Sequence, residues 1–360
     1  MKIFASEAKT FNRPPDDGKA AVAEDAQVED EASLATRAAW LHFAAGLTQA
    51  EVATRLNVQS TKAHRLIARA NREGMVRVFI DGDVAGCISL EQTLAQRYGL
   101  DFCEVAPELS DDALPLKALG IMGARFLRSA IERGEHSVIG VGHGRTLAAA
   151  VEHLPRTPAG NVRFVSLLGG VTRKFAANPF DVIHRLAERT GAESYVMPVP
   201  FFANSPEDKA VLFAQPGIRD VLALAGEASL MFVGIGTVDR DASLVSSGMI
   251  ELSELTRLKQ LGAVGEALGV FFDADGGPVE TDLTARTLSF DLLTATARKT
   301  VAIAGGTGKA RAIDAVLKSG SFTGLITDER TAREIAGFGA AKPRSTKPRT
   351  AKSDPKPRKN

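Results

Sequence analysis

The chain has 360 residues, 44% hydrophobic and 24% charged, with a formal net charge of +1. That leaves room for two domains with sizeable cores, and it excludes a polycation that holds nucleic acid by bulk charge, so any such affinity must be local. Cys87 and Cys103 lack the CxxC spacing of a structural zinc or a disulfide scaffold, and no run approaches the roughly 18 apolar residues of a bilayer span.

Residues 1–32 are rich in Glu, Asp, Ala and Pro and contain no apolar segment of the signal-peptide kind. The composition predicts a disordered acidic leader on a cytoplasmic protein.

Residues 33–86 predict a DNA-binding domain. Leu34, Ala38, Leu41 and Ala45 recur at helical spacing, and Gly46 supplies a stop. Thr48 then opens a second helix, and Glu51 three residues later completes a capping box. Val52, Ala53 and Leu56 share one side of it, and Asn57 suits a left-handed turn. A third helix is expected from about Ser60 to Glu73, with Ala63, Leu66, Ile67 and Ala70 inward and Lys62, His64, Arg65, Arg69 and Arg72 outward. No acidic residue occurs between Val52 and Arg72. A basic helix alone is as consistent with a solvated face. The cap, the Asn turn and the basic helix together form a helix-turn-helix that places its last helix in the major groove. Contacts to double-stranded operator DNA are expected from Thr48, Gln49, Ser60, Thr61, Lys62, His64, Arg65 and Arg69. After Gly74, Val76, Val78 and Ile80 alternate with Arg77 and Phe79, which predicts a short strand or wing.

Residues 87–338 alternate strands and helices. Apolar, β-branched runs at Ser137–Val141, Val162–Leu168, Ser194–Val199, Ser229–Ile235, Thr300–Ala304 and Gly324–Thr327 predict strands, with helices at Pro179–Arg189, Glu207–Leu224 and Lys309–Ser319 among others. This is the pattern of an α/β domain with a mainly parallel sheet covered on both faces. Such sheets bind ligands at the carboxyl ends of their strands.

Four Gly-rich turns follow predicted strands: Gly140 to Thr146, Leu168 to Thr172, Val233 to Thr237 and Ala304 to Lys309. Gly142, Gly144, Gly169, Gly170, Gly234, Gly236, Gly305 and Gly306 let backbone amides approach an anion, helped by a following helix N-terminus. Arg145 and Lys309 supply charge, and Thr146 and Thr237 supply hydroxyls. One such turn is equally explained by steric need for glycine; four at one end of a sheet point to a shared pocket. None has Rossmann or P-loop spacing, so neither NAD nor ATP is expected, nor any other cofactor or metal. His143 reads as a ligand contact, a general base or neither. Glu266 and Asp275 read either as acceptors for sugar hydroxyls or as a surface carboxylate and a turn residue. Residues 339–360 form a tail in which Lys and Arg alternate with Pro, expected to be disordered.

The segment from Thr36 to Phe79 and the motifs GVGHGRTL, LLGGVTR, VGIGTV, GAVGEALGVFFDADG, AIAGGTGKARAI and LITDERTA resemble the SorC family of bacterial sugar-responsive transcriptional regulators. The resemblance runs from Leu34 to Ile335. It implies a winged-type N-terminal DNA-binding domain and a Rossmann-like effector domain of the sugar-phosphate isomerase and deaminase type. It also implies a homo-oligomer, dimer or tetramer, and a sugar, polyol or sugar-phosphate effector. The loops matching Gly144–Thr146 and Gly305–Lys309 would take the ligand's phosphate or polar groups, and Glu266 its hydroxyls. Two positions depart from the family's pattern: His143 stands where an aromatic or Gly is commoner, and Asn57 where Gly is. RAAWLHFAAGLTQ followed by STKAHRLIARAN resembles the family's polyol regulators, erythritol-type among them. The competing reading is a sugar-phosphate isomerase or deaminase fused to a basic helical domain. It needs a positioned acid–base pair, for which His143 with Glu266 or Asp275 is the candidate set.

Overall fold

A computed structural model describes residues 31–76, 85–108, 114–171, 180–294 and 298–339. Contacts divide the chain into two compact units at Asp81/Gly82, a few residues before the boundary expected at residue 86. Most of the leader, the expected wing beyond Val76 and the basic tail lie outside the described residues.

In the first unit, helix α1 covers residues 31–39 and ends in a π-helical turn, Trp40–Ala44. Gly46 follows at φ +69, the left-handed conformation that releases the chain from a helix. Helix α2, Gln49–Leu56, starts at the expected capping box: the Thr48 hydroxyl accepts from the Glu51 amide, and the Glu51 carboxylate accepts from the Thr48 amide at 2.8 Å. Asn57 is left-handed at φ 52 and turns the chain into α3, Ser60–Arg72. Ala35, Ala38, Ala39, Val52, Ala53, Ala63, Leu66, Ile67 and Ala70 form the core. Six of these nine are alanine, so the helices approach closely.

The second unit contains one seven-stranded, wholly parallel sheet and one small antiparallel sheet. Helix α4, Ala85–Tyr98, leads into β1, Phe102–Ala106; α5, Leu116–Arg133, leads into β2, Val138–Val141. Then come α6 (Arg145–His153), β3 (Arg163–Ser166), α7 (Ile183–Thr190), β4 (Ser194–Tyr195), α8 (Pro206–Ala214), α9 (Pro216–Glu227) and β5 (Leu230–Gly234). The small sheet is β6 (Gly236–Thr237), β7 (Gly265–Ala267) and β8 (Val270–Phe272), with α10 (Ser243–Ser246) and α11 (Leu252–Gln260) between the first two strands. The chain closes through α12 (Asp282–Ala285), β9 (Lys299–Ile303), α13 (Ala310–Lys318), β10 (Gly324–Asp328) and α14 (Glu329–Ala336).

Alternate residues of each strand enter two separate cores. Ile139, Val141, Phe164, Leu230, Phe232, Val301 and Ile303 pack beneath α5, α6 and α7. Val138, Val165, Met231, Val233, Ala302 and Leu325 face the opposite cluster, which takes in α4, α11, α13 and α14. Burial on both faces is why these strands read as continuous apolar runs.

Two expected elements differ because of proline, for two different reasons. Only Ser194–Tyr195 of Ser194–Val199 pairs as a strand, because Pro198 and Pro200 have no amide to donate to the ladder. The helix expected over Glu207–Leu224 is two helices. Gln215 is extended (φ −65, ψ 131) because the ring of Pro216 disfavours a helical predecessor. Edge strand β1 and the small sheet were not among the expected strands. The strands of the small sheet are two or three residues long, too short for a periodic signal.

The sheet order is β1-β10-β9-β5-β2-β3-β4. After β2 the chain proceeds to one side of the sheet; after β5 it proceeds to the other. The carboxyl ends of β2 and β5 therefore flank the switch point where a crevice opens.

Candidate functional site

The crevice is a pocket of about 50 Å³, several times the roughly 10–15 Å³ that one water requires. Its walls are His143, Gly144, Arg145 and Thr146 after β2, Val233 to Thr237 around the end of β5, Ala242 to Leu244, Glu266 and Leu268 from the small sheet, Leu168, and Lys309.

Positive potential concentrates on one side. Helices α6 and α13 both begin here, and neither N-cap makes a side-chain cap hydrogen bond. Their open first turns present amides and the positive end of the helix dipole. Arg145 is the first residue of α6, and its buried Nε has no hydrogen-bond partner among the described residues. Lys309 is the N-cap of α13, and its Nζ donates to the Ile235 carbonyl at 3.1 Å. Burial, with Arg145 nearby, pulls the Lys309 ammonium down to about 8. A buried donor without a partner is costly, and an acceptor in this corner would satisfy Arg145 Nε.

Glu266 enters the lining from β7 of the small sheet, and Lys309 is close enough to act on its charge. Glu266 pairs with Gly236 across β6 and β7, and its Oε1 accepts from the Gly269 amide at 2.6 Å. Burial raises its carboxyl to about 7, against the lowering effects of that amide and of Lys309. Gly236 lies close under Glu266: a Cβ there would lie 2.6 Å from its Oε2, which would have to move. The β7–β8 turn is Leu268-Gly269 at φ 48 and 76, the pattern of a type I′ hairpin that normally takes Asn-Gly. Leu268 accepts left-handed strain to seal the pocket with an apolar side chain, 4% exposed. His143 sits edge-on to Phe201, 5.5 Å between centroids. Burial holds its imidazole down at about 4, so it is neutral at physiological pH.

In the first unit, Ser60, Thr61, His64 and Arg65 are exposed on α3 and Lys62 is half-buried. Gln49 is exposed at the start of α2. The Thr48 hydroxyl is engaged with Glu51 at 2.8 Å. Arg69 is held by Glu73 at 2.8 Å and by Glu31 at 3.1 Å, so its charge is already paired with two carboxylates.

The family model described as "Putative sugar-binding domain" matches residues 82–336. The erythritol catabolism regulatory protein EryD of Brucella abortus (strain 2308) is 59% identical over 305 residues, 85% of this chain and 96% of that protein. The transcriptional regulator LsrR of Klebsiella pneumoniae subsp. pneumoniae is 34% identical over 316 residues, 86% of this chain and 94% of that one. The full-length sorbitol operon regulator SorC from Klebsiella pneumoniae superposes with a TM-score of 0.61 at 26% identity, covering 85% of this chain and 99% of that structure. The chain belongs to the SorC family. As a SorC-family member it is a transcriptional regulator rather than an enzyme, with an N-terminal DNA-binding domain and a C-terminal sugar-binding domain.

Within this SorC-family domain the four Gly-rich turns do not contribute equally. The turns after β2 and β5 line the pocket, and the turn after β9 delivers Lys309. Thr146 lines it too, but its hydroxyl is already spent on the Ile303 carbonyl at 2.9 Å. Gly142 backs the wall, its amide donating to Phe232. Gly169 and Gly170 lie outside the lining: the Gly169 amide donates to Leu288, and a Cβ there would run into the Pro200 carbonyl at 2.2 Å. Gly305 and Gly306 lie outside it as well, the Gly306 amide being taken by Asp328 and Thr331. Asp275 is exposed in the turn after β8, its amide bonded to Asp273. Leu168, Leu244 and Leu268 were missed because an apolar wall leaves no local signature. Among the described residues no group of three His, Cys, Asp or Glu is arranged to hold a metal, and no described helix is long and apolar enough to cross a membrane.

Proposed function

We propose that this regulator controls a polyol or sugar catabolic operon, and that its effector is a short polyol or sugar bound in the β2–β5 crevice, most favourably as a monophosphate. The observation that carries this reading is the convergence of Arg145, whose buried Nε has no partner among the described residues, with Lys309 and two helix starts without side-chain caps. A phosphate there accepts from those donors while Glu266, in the same lining, takes hydroxyls. The similarity to an erythritol catabolism regulator makes tetritols the first chemistry to try.

In this reading Gln49, Ser60, Thr61, Lys62, His64 and Arg65 face double-stranded operator DNA, with His64 and Arg65 at base edges. The working form is a homo-oligomer, a dimer or tetramer, because a helix-turn-helix reads half-sites in pairs. It acts in the cytoplasm, on the chromosome when DNA-bound. The effector alters transcription by binding the DNA-competent and incompetent states with different affinity.

The test is a thermal-shift panel of erythritol, sorbitol, their monophosphates and inorganic phosphate, followed by operator titration. A ligand confined to the folded state at 100 times its dissociation constant adds about 2.7 kcal/mol. A shift without turnover, accompanied by altered operator affinity, is expected. A panel that moves neither melting nor operator affinity overturns the reading, and turnover of a phosphorylated member restores the isomerase alternative.

A further inference from the structure

Asp328 is the last residue of β10 and is 5% exposed. It faces neither core nor solvent. Its Oδ1 accepts from the Thr331 amide at 3.0 Å and so caps α14. Its Oδ2 accepts from the Gly306 amide at 2.8 Å and from the Thr331 hydroxyl at 2.7 Å. The Thr331 hydroxyl lies 2.9 Å from the same Gly306 amide. A Cβ on Gly305 would stand 2.0 Å from Asp328 Oδ2. Gly305 and Gly306, two of the three glycines of the β9–α13 turn, are therefore set against this one carboxylate, and Lys309 follows three residues after Gly306, at the N-cap of α13.

A capping aspartate needs only one oxygen for its helix. The second oxygen here is committed to the turn that presents the pocket lysine. Helix α14 is in turn locked to α4. Arg97 donates to the carbonyls of Ile335, Ala336 and Phe338 at one end. At the other end Glu329 interacts with Cys87 on α4 and pairs with Arg333. Helix α4 is the first described element after the DNA-binding unit in the chain.

We propose that Asp328, acting with Thr331, is the positioning residue of the effector pocket: it fixes the turn that aims Lys309 and ties that turn to the α14–α4 pair. The inference deepens the assignment of the pocket to an anionic effector and rests on it only for its consequence in effector binding. The placement of Lys309 itself can be measured with no effector present.

Asp328→Asn keeps the volume and the cap acceptor but turns a donor toward the Gly306 amide. Thr331→Val removes the hydroxyl without changing charge. Competitive acetylation of the full-length protein across pH, read by mass spectrometry at Lys309, reports the ammonium's titration; Lys318 serves as the internal control. In the wild type the Lys309 profile should be centred near 8. In Asp328→Asn it should move upward toward that of an ordinary lysine, because the released turn returns the amine to water. The same shift, smaller, is expected in Thr331→Val. If Asp328 were only a nearby negative charge, its removal would move the profile down, since that charge now helps to keep Lys309 protonated. A downward or unchanged profile overturns the proposal. Should Asp328→Asn fail to fold, Thr331→Val decides by the same criterion. Titration with inorganic phosphate and erythritol 4-phosphate follows: several-fold weaker binding in Asp328→Asn, with operator affinity retained, is the expected consequence. Wild type that binds neither probe refutes the anionic pocket, while the acetylation profile still rules on Asp328.

Discussion

Two ionisable side chains set the pH behaviour of the pocket. Glu266 keeps its proton to about 7 in the folded protein, against 4.5 for an ordinary side chain. Between those values the native state binds more protons than the unfolded chain, so stability falls as pH rises through the window and levels off above it. Glu266→Gln removes that dependence. Relative to the variant, the wild type should lose up to roughly 3 kcal/mol between the low and high ends, read by denaturant titration at several pH values; parallel curves would place the carboxylate in water. Lys309 acts on ligands instead. Its charge is lost as pH rises through about 8, so affinity for erythritol 4-phosphate should drop across that value. Affinity for erythritol should not, and calorimetric titration distinguishes the two. Lys309→Ala should leave folding and operator binding intact and blunt the effector response; normal signalling in this variant would move the anion site elsewhere.

At the level of elements, helix α3 and the β6–β7 pair carry the sharpest consequences. Arg65→Ala should weaken operator binding by about 1–3 kcal/mol and random-DNA binding much less, if the exposed guanidinium reads a base edge. Equal losses on both would make it a phosphate contact, and fluorescence anisotropy on the two DNAs separates these outcomes. Gly236→Ala places a methyl 2.6 Å from Glu266 Oε2. The carboxylate must swing away, so effector binding should fall while the seven-stranded sheet stays intact by circular dichroism. The legibility of these elements was uneven for a physical reason. Thr48, Glu51 and Asn57 act within ten residues, and the structure has them as a capping box and a left-handed turn. The Gly-rich turns were visible because glycines end apolar runs, but which of them meet depends on strand order, a non-local property. Nothing near Gly236 announces Glu266 as its partner, and nothing near Gly306 announces Asp328. Pro198 and Pro216 did carry local signals, for a shortened strand and a split helix.

For the whole molecule, charge distribution matters more than the net value of +1. Lys342, Arg344, Lys347, Arg349, Lys352, Lys356, Arg358 and Lys359 put eight cations within the last nineteen residues. If they neutralise phosphates, truncation after Gly339 should lower affinity for all DNA alike and flatten the dependence of log affinity on log salt, leaving the effector's thermal shift unchanged. Identical salt slopes would make the tail a bystander. The sheet order has a kinetic consequence. Strand β1 finds its register only against β10, Phe102 opposite Gly324, so the first strand of the domain waits for the last. On the ribosome the helical DNA-binding unit, built from local contacts, can close early. The β2–β3–β4 half can follow as its crossover helices emerge. The β1 edge stays open until nearly the whole chain has been made. Nascent chains arrested before β10 should therefore be caught by holdase chaperones, whereas the released full-length chain should escape them.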